Sequence, residues 1–416
     1  MLWGEDKYVY DRTETFAQEE YKNNKTEYHI KVNKVTGLRP EDQKKAADST
    51  IKSLNAGLLK NTISKYFSDP TGVAQSAPGF KEFLSDLSKE TNKEAAYAGM
   101  GRGAMVGEMS GATNTSTTFA GDMADTAALR LSFTQDRVTG DNKVDEDGNI
   151  WAKYLHNKYK GEGLGSSFGD MHFDASYDGI MVGSDFAKKG KVQSGIAFAY
   201  ADGDSSGIGS EDDFDLWGLT LYGNVKNDDT NIIADIGYSR GDHETSSYVL
   251  DKKMTADRDI SVFSLGVRAE KLITKGSLQV VPYTGLRYLN VDPSSYTAYY
   301  NGKKAFDVDA DRQNIFTLPV GVSLRNENVT KNGWTITPQF DLSYVWAFGD
   351  TDNDMTINVG GAADKLSYTV MDSGSWLTSL ALEAAKGDWT YGLGYSWQKG
   401  NDARSDKWFV NAEYKF

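Results

Sequence analysis

The clearest pattern in the sequence lies in Trp334-Thr-Ile-Thr-Pro-Gln-Phe-Asp-Leu-Ser-Tyr-Val-Trp346. Apolar or aromatic side chains occupy every second position, and all the positions between them except Val345 are polar. A period of two is typical of a strand whose two faces meet different surroundings. Aromatic side chains at both ends of the apolar face suit the two headgroup levels of a bilayer, where Trp and Tyr are enriched. The stretch therefore predicts a strand that crosses a membrane.

The same pattern recurs through the C-terminal part of the chain. It is clear in 232–238, 263–269, 316–324 and 389–397. Weaker copies occupy 149–160, 171–187, 191–202, 214–226, 278–291, 375–385 and 407–416. Together these segments predict twelve strands between Asn149 and Phe416.

A soluble β-sandwich also has alternating strands, so the pattern alone leaves two fold classes open. The 268 residues from Asn149 to Phe416 give about 22 per strand with its connection. Soluble sandwiches repeat about every 8–12 residues, whereas a membrane strand needs about 9–11 residues for the crossing alone. The second face is rich in Gly, Ser and Ala, which suits a narrow lined interior. The pattern favours a closed membrane barrel.

The connections alternate in length along the chain, as expected for short turns at one end of a barrel and longer loops at the other. The short ones are 187–190, 226–229, 274–276, 326–333 and 385–388. The long ones are 161–169, 202–213, 241–259, 292–313, 349–375 and 399–406, and their Asp, Gly and Ser content predicts solvated loops.

Composition excludes several function classes. With 45 basic and 59 acidic residues the net charge is −14, which argues against a nucleic-acid partner. The absence of cysteine removes disulfides and thiol chemistry. Met1-Leu-Trp-Gly-Glu-Asp has no basic start and apolar core, so no secretory leader is predicted there and the natural chain is expected to begin further upstream.

No cofactor or metal site is predicted. The four histidines have no metal-ligand spacing, and the acidic run 145–150 has Lys143 and Tyr154 where a calcium loop needs oxygen ligands. His156 and His172 flank one predicted long loop, which leaves a hydrolase at the barrel rim as a minor alternative.

Three segments carry a family resemblance: 151–158, 177–186 and 195–204. They resemble the start of an autotransporter β-domain, and the similarity extends over about 125–416. The resemblance implies a twelve-stranded outer-membrane barrel of type V secretion in Gram-negative bacteria. It also implies an α-helix that threads the lumen and a secreted passenger upstream. Tyr414 and Phe416 resemble the signal read by the outer-membrane assembly machinery, although Asn411 stands where that signal usually has glycine.

The segment before the barrel contains the candidate lumen helix. Gly99, Gly103, Gly107 and Gly111 are spaced by four residues, which permits close approach to a wall, but a flexible linker over 99–118 is an equal alternative. Residues 119–133 favour a helix, and the lumen portion is predicted near 114–133. The residues assigned to it are Gly121, Asp122, Asp125, Leu129 and Arg130.

Successive side chains of a strand point alternately outward and into the lumen, and this parity predicts which charged residues belong to the lumen wall. They are expected to form a network that holds the helix or rings a narrow pore. The residues are Asp235, Arg268, Glu270, Arg287, Arg325, Asp341 and Glu383. Some autotransporters cut their own linker after an asparagine, but Asn114 lacks the paired-asparagine context, so no cleavage residues are assigned.

The resulting prediction is an all-β fold, a twelve-stranded antiparallel transmembrane barrel with an N-terminal lumen helix. Four regions are expected: a passenger remnant of mixed or helical structure at 1–92, a linker and lumen helix at 93–133, a periplasmic turn at 134–148 and the barrel at 149–416. The predicted function is a translocator that carries its passenger to the cell surface, acts without enzymatic chemistry and is then plugged by its helix. Outer-membrane lipid, the assembly machinery and the chain's own passenger are the expected partners, and a monomer is expected. The main alternative is an unplugged outer-membrane channel.

Overall fold

The computed structural model describes residues 8–11, 17–22, 25–30, 34–135 and 148–415. Residues 136–147, which make up most of the predicted periplasmic turn at 134–148, and Phe416 lie outside these ranges. Near the N-terminus, Tyr8–Asp11 pairs with Lys34–Leu38 and Ala17–Lys22 pairs with Lys25–Ile30, both antiparallel.

Among the described residues, six α-helices precede the barrel. They are α1 (Pro40–Leu54), α2 (Lys60–Ser68), α3 (Pro70–Ser76), α4 (Pro78–Lys89), α5 (Lys93–Ala104) and α6 (Ala112–Leu129). Proline at the first position starts α1, α3 and α4, where its missing N–H costs no hydrogen bond. The Asn92 side chain caps α5 by accepting from the amides of Glu94 and Ala95.

Twelve long antiparallel strands close into a barrel, which confirms the predicted fold class. They are β1 (Asn149–Leu164), β2 (Met171–Asp185), β3 (Val192–Gly207), β4 (Ser210–Asn227), β5 (Thr230–Val249), β6 (Lys252–Lys271), β7 (Leu278–Pro293), β8 (Gln313–Asn326), β9 (Thr335–Gly349), β10 (Gly374–Lys386), β11 (Trp389–Lys399) and β12 (Ala403–Lys415). Each pairs with the next, and β12 pairs with β1 from Ala403↔Gly161 to Lys415↔Asn149. Short strands Ile273–Lys275 and Asn328–Val329 extend two of the turns.

The two ends of the barrel differ. At the terminal end, where Asn149 and Lys415 lie, connections such as Asp228–Asp229 are tight. At the opposite, extended end, β5 and β6 run to 20 residues each, about twice what a membrane crossing needs. Two further hairpins rise there, Tyr296–Tyr300 with Lys303–Ala310 and Asp352–Val359 with Ala362–Thr369.

The extended end is itself a closed ring of strands. The top of β6 pairs with Tyr296–Tyr300, and Lys303–Ala310 pairs with Asp352–Val359. The ring closes where Tyr368 bridges to Ser166 and the Thr369 amide donates to the Gly165 carbonyl at 2.8 Å. We call this structure the upper ring. It corrects the expectation of solvated loops, since strand pairing continues through most of 202–213, 241–259, 292–313 and 349–375.

Burial separates the outer band from two interiors. Large apolar side chains around the barrel face outward and stay exposed, as a lipid-facing band requires. Examples are Ile180, Leu219, Leu221, Ile236, Leu265, Val267, Leu342, Leu380, Leu393 and Val410, with Trp346, Trp376, Trp408 and Trp389 nearer the two edges. Inside, one apolar core joins α1–α5 to the upper ring, and a second joins α6 to β1–β4. Within the described residues, no helix is long and apolar enough to cross a membrane.

Candidate functional site

The helix α6 lies inside the barrel and packs against β4, β5 and β6. It starts at Ala112, slightly before the predicted 114, because Gly111 adopts a φ of 79° that only glycine takes without strain. It ends at Leu129, before the predicted 133. Beyond it, the Leu131 carbonyl accepts from Asn224 and Asn231, and the Phe133 amide donates to Glu270 at 3.1 Å.

The glycine-rich segment 99–111 is neither one long helix nor a loose linker. Gly99 and Gly103 lie on α5, which ends at Ala104, and each faces Val249 of the wall. A Cβ on Gly103 would lie 2.5 Å from the Phe83 ring, so the missing side chain lets α5 pack closely. The predicted approach of a small-residue face to a wall therefore occurs in the upper ring rather than in the lumen.

The charged residues predicted for α6 reach the wall at two levels. At the middle of the helix, Asp122 accepts from Lys407 at 2.5 Å, Asn157 at 3.0 Å and Tyr177 at 2.9 Å. Near the terminal end, Arg130, just past the helix, pairs with Asp185 at 3.1 Å and Glu413 at 2.9 Å. These contacts hold the helix against β1, β2 and β12.

One predicted wall pair holds the middle of α6. Arg287 of β7 donates to Asp125 of the helix at 2.7 Å and to Asp235 of β5 at 2.6 Å. Arg287 is only 8% exposed and Asp235 only 5% exposed. A buried arginine between two carboxylates has its charge compensated on both sides, which makes this the central ionic contact of the lumen.

The other predicted wall residues contact one another and the segment that follows the helix. Arg268 donates to Glu270 at 2.7 Å, and Glu270 also accepts from Ser132 after the helix. Arg325 lies 3.8 Å from Glu327. Asp341 accepts from the hydroxyls of Tyr283 and Ser323, and Glu383 accepts from Gln339 at 3.1 Å.

A polar collar surrounds the chain where it passes from α5 to α6. It consists of Ser205, Asp212, His243, Arg258 and Tyr368 of the wall. Arg258 pairs with Glu108, Ser205 donates to the Ser110 carbonyl, and Tyr368 lies 3.2 Å from the Thr113 hydroxyl. The chain from Met105 to Thr117 is almost wholly buried at this level. Asn114 lies there too, with its amide donating to the Val370 carbonyl at 2.8 Å.

Within the collar, Ser116, His243 and Asp212 form a hydrogen-bonded relay. The Ser116 Oγ lies 2.7 Å from His243 Nε2, and His243 Nδ1 lies 2.9 Å from Asp212 Oδ2. A Cβ on Gly241 would lie 2.7 Å from the Ser116 Oγ, so glycine at this position leaves room for the contact. The order of groups is that of a hydrolase relay, but all three are at most 2% exposed and none of them lines the lumen cavity. The relay connects the lumen helix to β5 and β4 of the wall.

A cavity of about 380 Å³, lined by both polar and apolar side chains, lies beside α6. Gly121 and Leu129 face it, and a Cβ on Gly121 would touch nothing within 4 Å. Its wall combines both signs of charge: Lys153, Arg268, Arg287, Asp341, Glu383 and Lys407. In the described part of the chain, no group of three or more His, Asp or Glu side chains could hold a metal ion.

The remaining predicted sites lie on the outer face or beyond the described residues. His156 lies 2.8 Å from Asp178, which also accepts from the Tyr154 hydroxyl. His172 of β2 stands opposite Glu162 of β1, which follows His156 by six residues. Tyr414 faces outward against the Trp389 ring at 5.0 Å, and Phe416 lies outside the described residues.

Sequence reasoning missed the collar, although two signals for it exist. Glu108 is the only acidic residue between Glu94 and Asp122, which marks it as a charge with a specific partner. His243 has the same inward parity as Asp235, but the polar segment around it was interpreted as a loop.

Comparison with known proteins gives one family. The model of the family described as "Autotransporter beta-domain" matches residues 150–396. No curated protein sequence matches this chain.

Two solved structures have a similar fold. The translocator domain of autotransporter NalP from Neisseria meningitidis is 13% identical, with a TM-score of 0.54 over 73% of this chain and 97% of that domain. The β-domain of the Bordetella autotransporter BrkA is 15% identical, with a TM-score of 0.51 over 65% of this chain and 100% of that domain. At such identities the likeness concerns the fold alone.

Proposed function

The chain belongs to the autotransporter β-domain family, whose model covers more than half of it, and we propose that it is a translocator that carries an N-terminal passenger to the cell surface. Family membership places the barrel in the bacterial outer membrane. In the proposed orientation the terminal end faces the periplasm and the extended end faces outward.

The observation that carries this proposal is the path of the chain through the closed barrel. Residues 54–104 pack into the core of the upper ring, α6 lies in the lumen, and β1 starts at the terminal end with Asn149. The polypeptide thus runs through the pore from one end to the other. Such a path is what remains when a barrel has conducted its own N-terminal segment outward.

The proposed partners follow from the same family and surface. The outward apolar band fits outer-membrane lipid, and Tyr414 with Phe416 are proposed as the residues read by the assembly machinery. Residues 1–92 are proposed as the last part of the passenger. We propose a monomer that acts mechanically, without nucleic acid or cofactor and without enzymatic chemistry.

Surface display tests this function. The chain is given a secretory leader and an epitope tag before Met1, and intact cells are probed with antibody. We expect the tag to be detected on intact cells, and we expect a chain with a stop codon before Trp408, which lacks most of β12, to lose the signal because the barrel cannot close. A tag detectable only after the outer membrane is permeabilised would contradict export.

The cavity beside α6 supports a second candidate function, that of an outer-membrane channel. A polar passage lined by Arg268 and Arg287 could conduct ions in the presence of the helix. Charge reversal at Arg268 would then change the ion preference of the intact chain in planar bilayers, whereas a plugged translocator would show no steady current to change.

A further inference from the structure

The helices before the lumen are built into the upper ring. Phe80, Phe83 and Leu87 of α4 are at most 1% exposed, and the Phe83 ring packs edge-on against Tyr300 at 5.6 Å. Leu54, Leu59 and Ile63 are buried in the same core. This part of the chain is therefore packed as an interior and not as a tail.

The ring that receives these helices has an apolar inner surface. Its buried side chains are Val249, Met254, Tyr300, Phe306, Val308, Ile357 and Val359. Without the helices this surface would face water inside the ring, which the hydrophobic effect opposes. The helices and the ring thus share one core.

Charged groups at the rim add specificity to the contact. Glu82 of α4 pairs with Lys252 at 2.8 Å and with Lys303 at 2.6 Å, and Asp86 pairs with Lys252 at 2.6 Å. Asp364 of the wall accepts from the Asn61 and Thr62 amides at 3.0 and 2.8 Å, which caps α2 from another part of the chain. A Cβ on Gly79 would lie 2.2 Å from the Lys303 carbonyl oxygen, so α4 approaches the wall at backbone distance.

The link between α4 and α5 is exposed, in contrast to the buried faces of the two helices. Thr91 and Asn92 face solvent, and the link carries only local hydrogen bonds such as that from the Asn92 amide to Glu90. A break in the chain at this link would leave every contact of α1–α4 with the upper ring in place.

We propose that the upper ring is a receptor for α1–α4, which holds the N-terminal part of the chain without need of the covalent link. A passenger cut at the link stays on the barrel until the helices leave the ring. Retention is a property of the folded chain, and only the statement that it occurs at the cell surface rests on the proposed function. Failure of retention therefore leaves the translocator proposal standing, and failure of surface display leaves retention standing.

The test uses the full chain with an N-terminal affinity tag and a recognition sequence for a site-specific protease inserted after Thr91. The purified folded protein is cut without denaturant, and the tag is used to capture the N-terminal fragment. We expect the barrel fragment to be captured with it, also after a wash with high salt, because most of the contact is apolar.

Two matched substitutions on α4 locate the contact. Phe83→Glu places a charge in the core, and Lys81→Glu places the same side chain on the exposed face of the helix. We expect Phe83→Glu to raise the released fraction roughly tenfold or more over Lys81→Glu, because burial of an unpaired carboxylate is costly. The shift in gel mobility on boiling shows whether each barrel is folded, and if Phe83→Glu fails to fold, Glu82→Gln combined with Lys252→Ala replaces it. Release of the fragment from the unsubstituted chain in the absence of denaturant would overturn the proposal.

Discussion

His243 joins two elements that are far apart in the sequence, the lumen helix through Ser116 and the wall strand β4 through Asp212. Substitution of His243 by alanine leaves Ser116 and Asp212 buried without their hydrogen bonds to the imidazole. We expect His243→Ala to lower the free energy of unfolding by about 3 kcal/mol, because a buried carboxylate loses its hydrogen-bond donor. Urea unfolding in bilayers, followed by tryptophan fluorescence, measures this loss.

Thr126→Ala is the control for that experiment, since Thr126 is half-buried on the same helix and faces the cavity. It is expected to change the free energy of unfolding by at most about 0.5 kcal/mol. Equal losses in the two variants would contradict a locking role for His243.

The carboxylate of Glu82 should make the stability of the helices in the upper ring depend on pH. Hydrogen bonds from Lys252, Lys303 and Asn301 lower its pKa from 4.5 to about 2. A carboxylate whose pKa is lower in the folded state stabilises that state fully above the unfolded value of 4.5 and loses the contribution as pH falls towards about 2. We expect the difference in melting temperature between the unsubstituted chain and Glu82→Gln to be largest at pH 6 and to shrink steadily below about pH 4.5.

Glu90→Gln is the control for the pH experiment, because the carboxylate of Glu90 lies on the link between α4 and α5 and not in the contact with the upper ring. A difference for Glu82→Gln that stayed constant from pH 6 to pH 3 would show that its ion pairs do not stabilise the fold.

At the level of single residues, parity predicted that Asp235 and Arg287 face the lumen, because side chains alternate strictly along a strand. Parity could not predict that Asp125 of the lumen helix joins Arg287 and Asp235. That contact depends on the rotation and depth of α6, which no local pattern encodes. The relay at His243 was missed for the same reason, since Ser116 is supplied by the helix.

Among the elements, the membrane-crossing parts of the strands were predictable and the upper ring was not. In β9 the lipid-facing side chains are apolar and the lumen side is polar, so alternation is strong. In 241–249 the outward positions hold Asp242 and Glu244, because this part of β5 stands beyond the lipid band. The alternation between apolar and polar positions then disappears, so the sequence predicts a loop where the chain is still a strand.

A row of acidic side chains crosses neighbouring strands of the upper ring, and it predicts that stability depends on the salt concentration. Asp204, Asp213, Glu244 and Asp257 lie directly opposite one another on β3, β4, β5 and β6, and all are exposed. Like charges in facing positions destabilise a sheet. We expect Asp213→Asn to raise the free energy of unfolding by about 0.5 kcal/mol at low salt and to have little effect at about 1 M NaCl, where the charges are screened.

Melting temperatures at the two salt concentrations measure this effect, with Asp48→Asn on the exposed side of α1 as the control. A stabilisation by Asp213→Asn that is as large at high salt as at low salt would contradict the electrostatic explanation.

The whole molecule is a pore occupied by its own chain at two levels. The lumen holds α6 with a cavity beside it, and the upper ring holds α1–α5 in an apolar core. Twelve strands, their order and the presence of a lumen helix followed from period, length and resemblance. The division of the N-terminal segment between the two levels did not, because it depends on packing between residues more than a hundred positions apart.

Single-channel conductance in planar bilayers tests whether the residues before the barrel close its pore. The intact chain is compared with one that begins at Gly140, after the gel shift on boiling has shown that both barrels are folded. We expect almost no current through the intact chain and large, steady openings through the truncated one. Equal and large conductance from both would mean that the N-terminal segment does not plug the lumen and that an open channel describes this protein better.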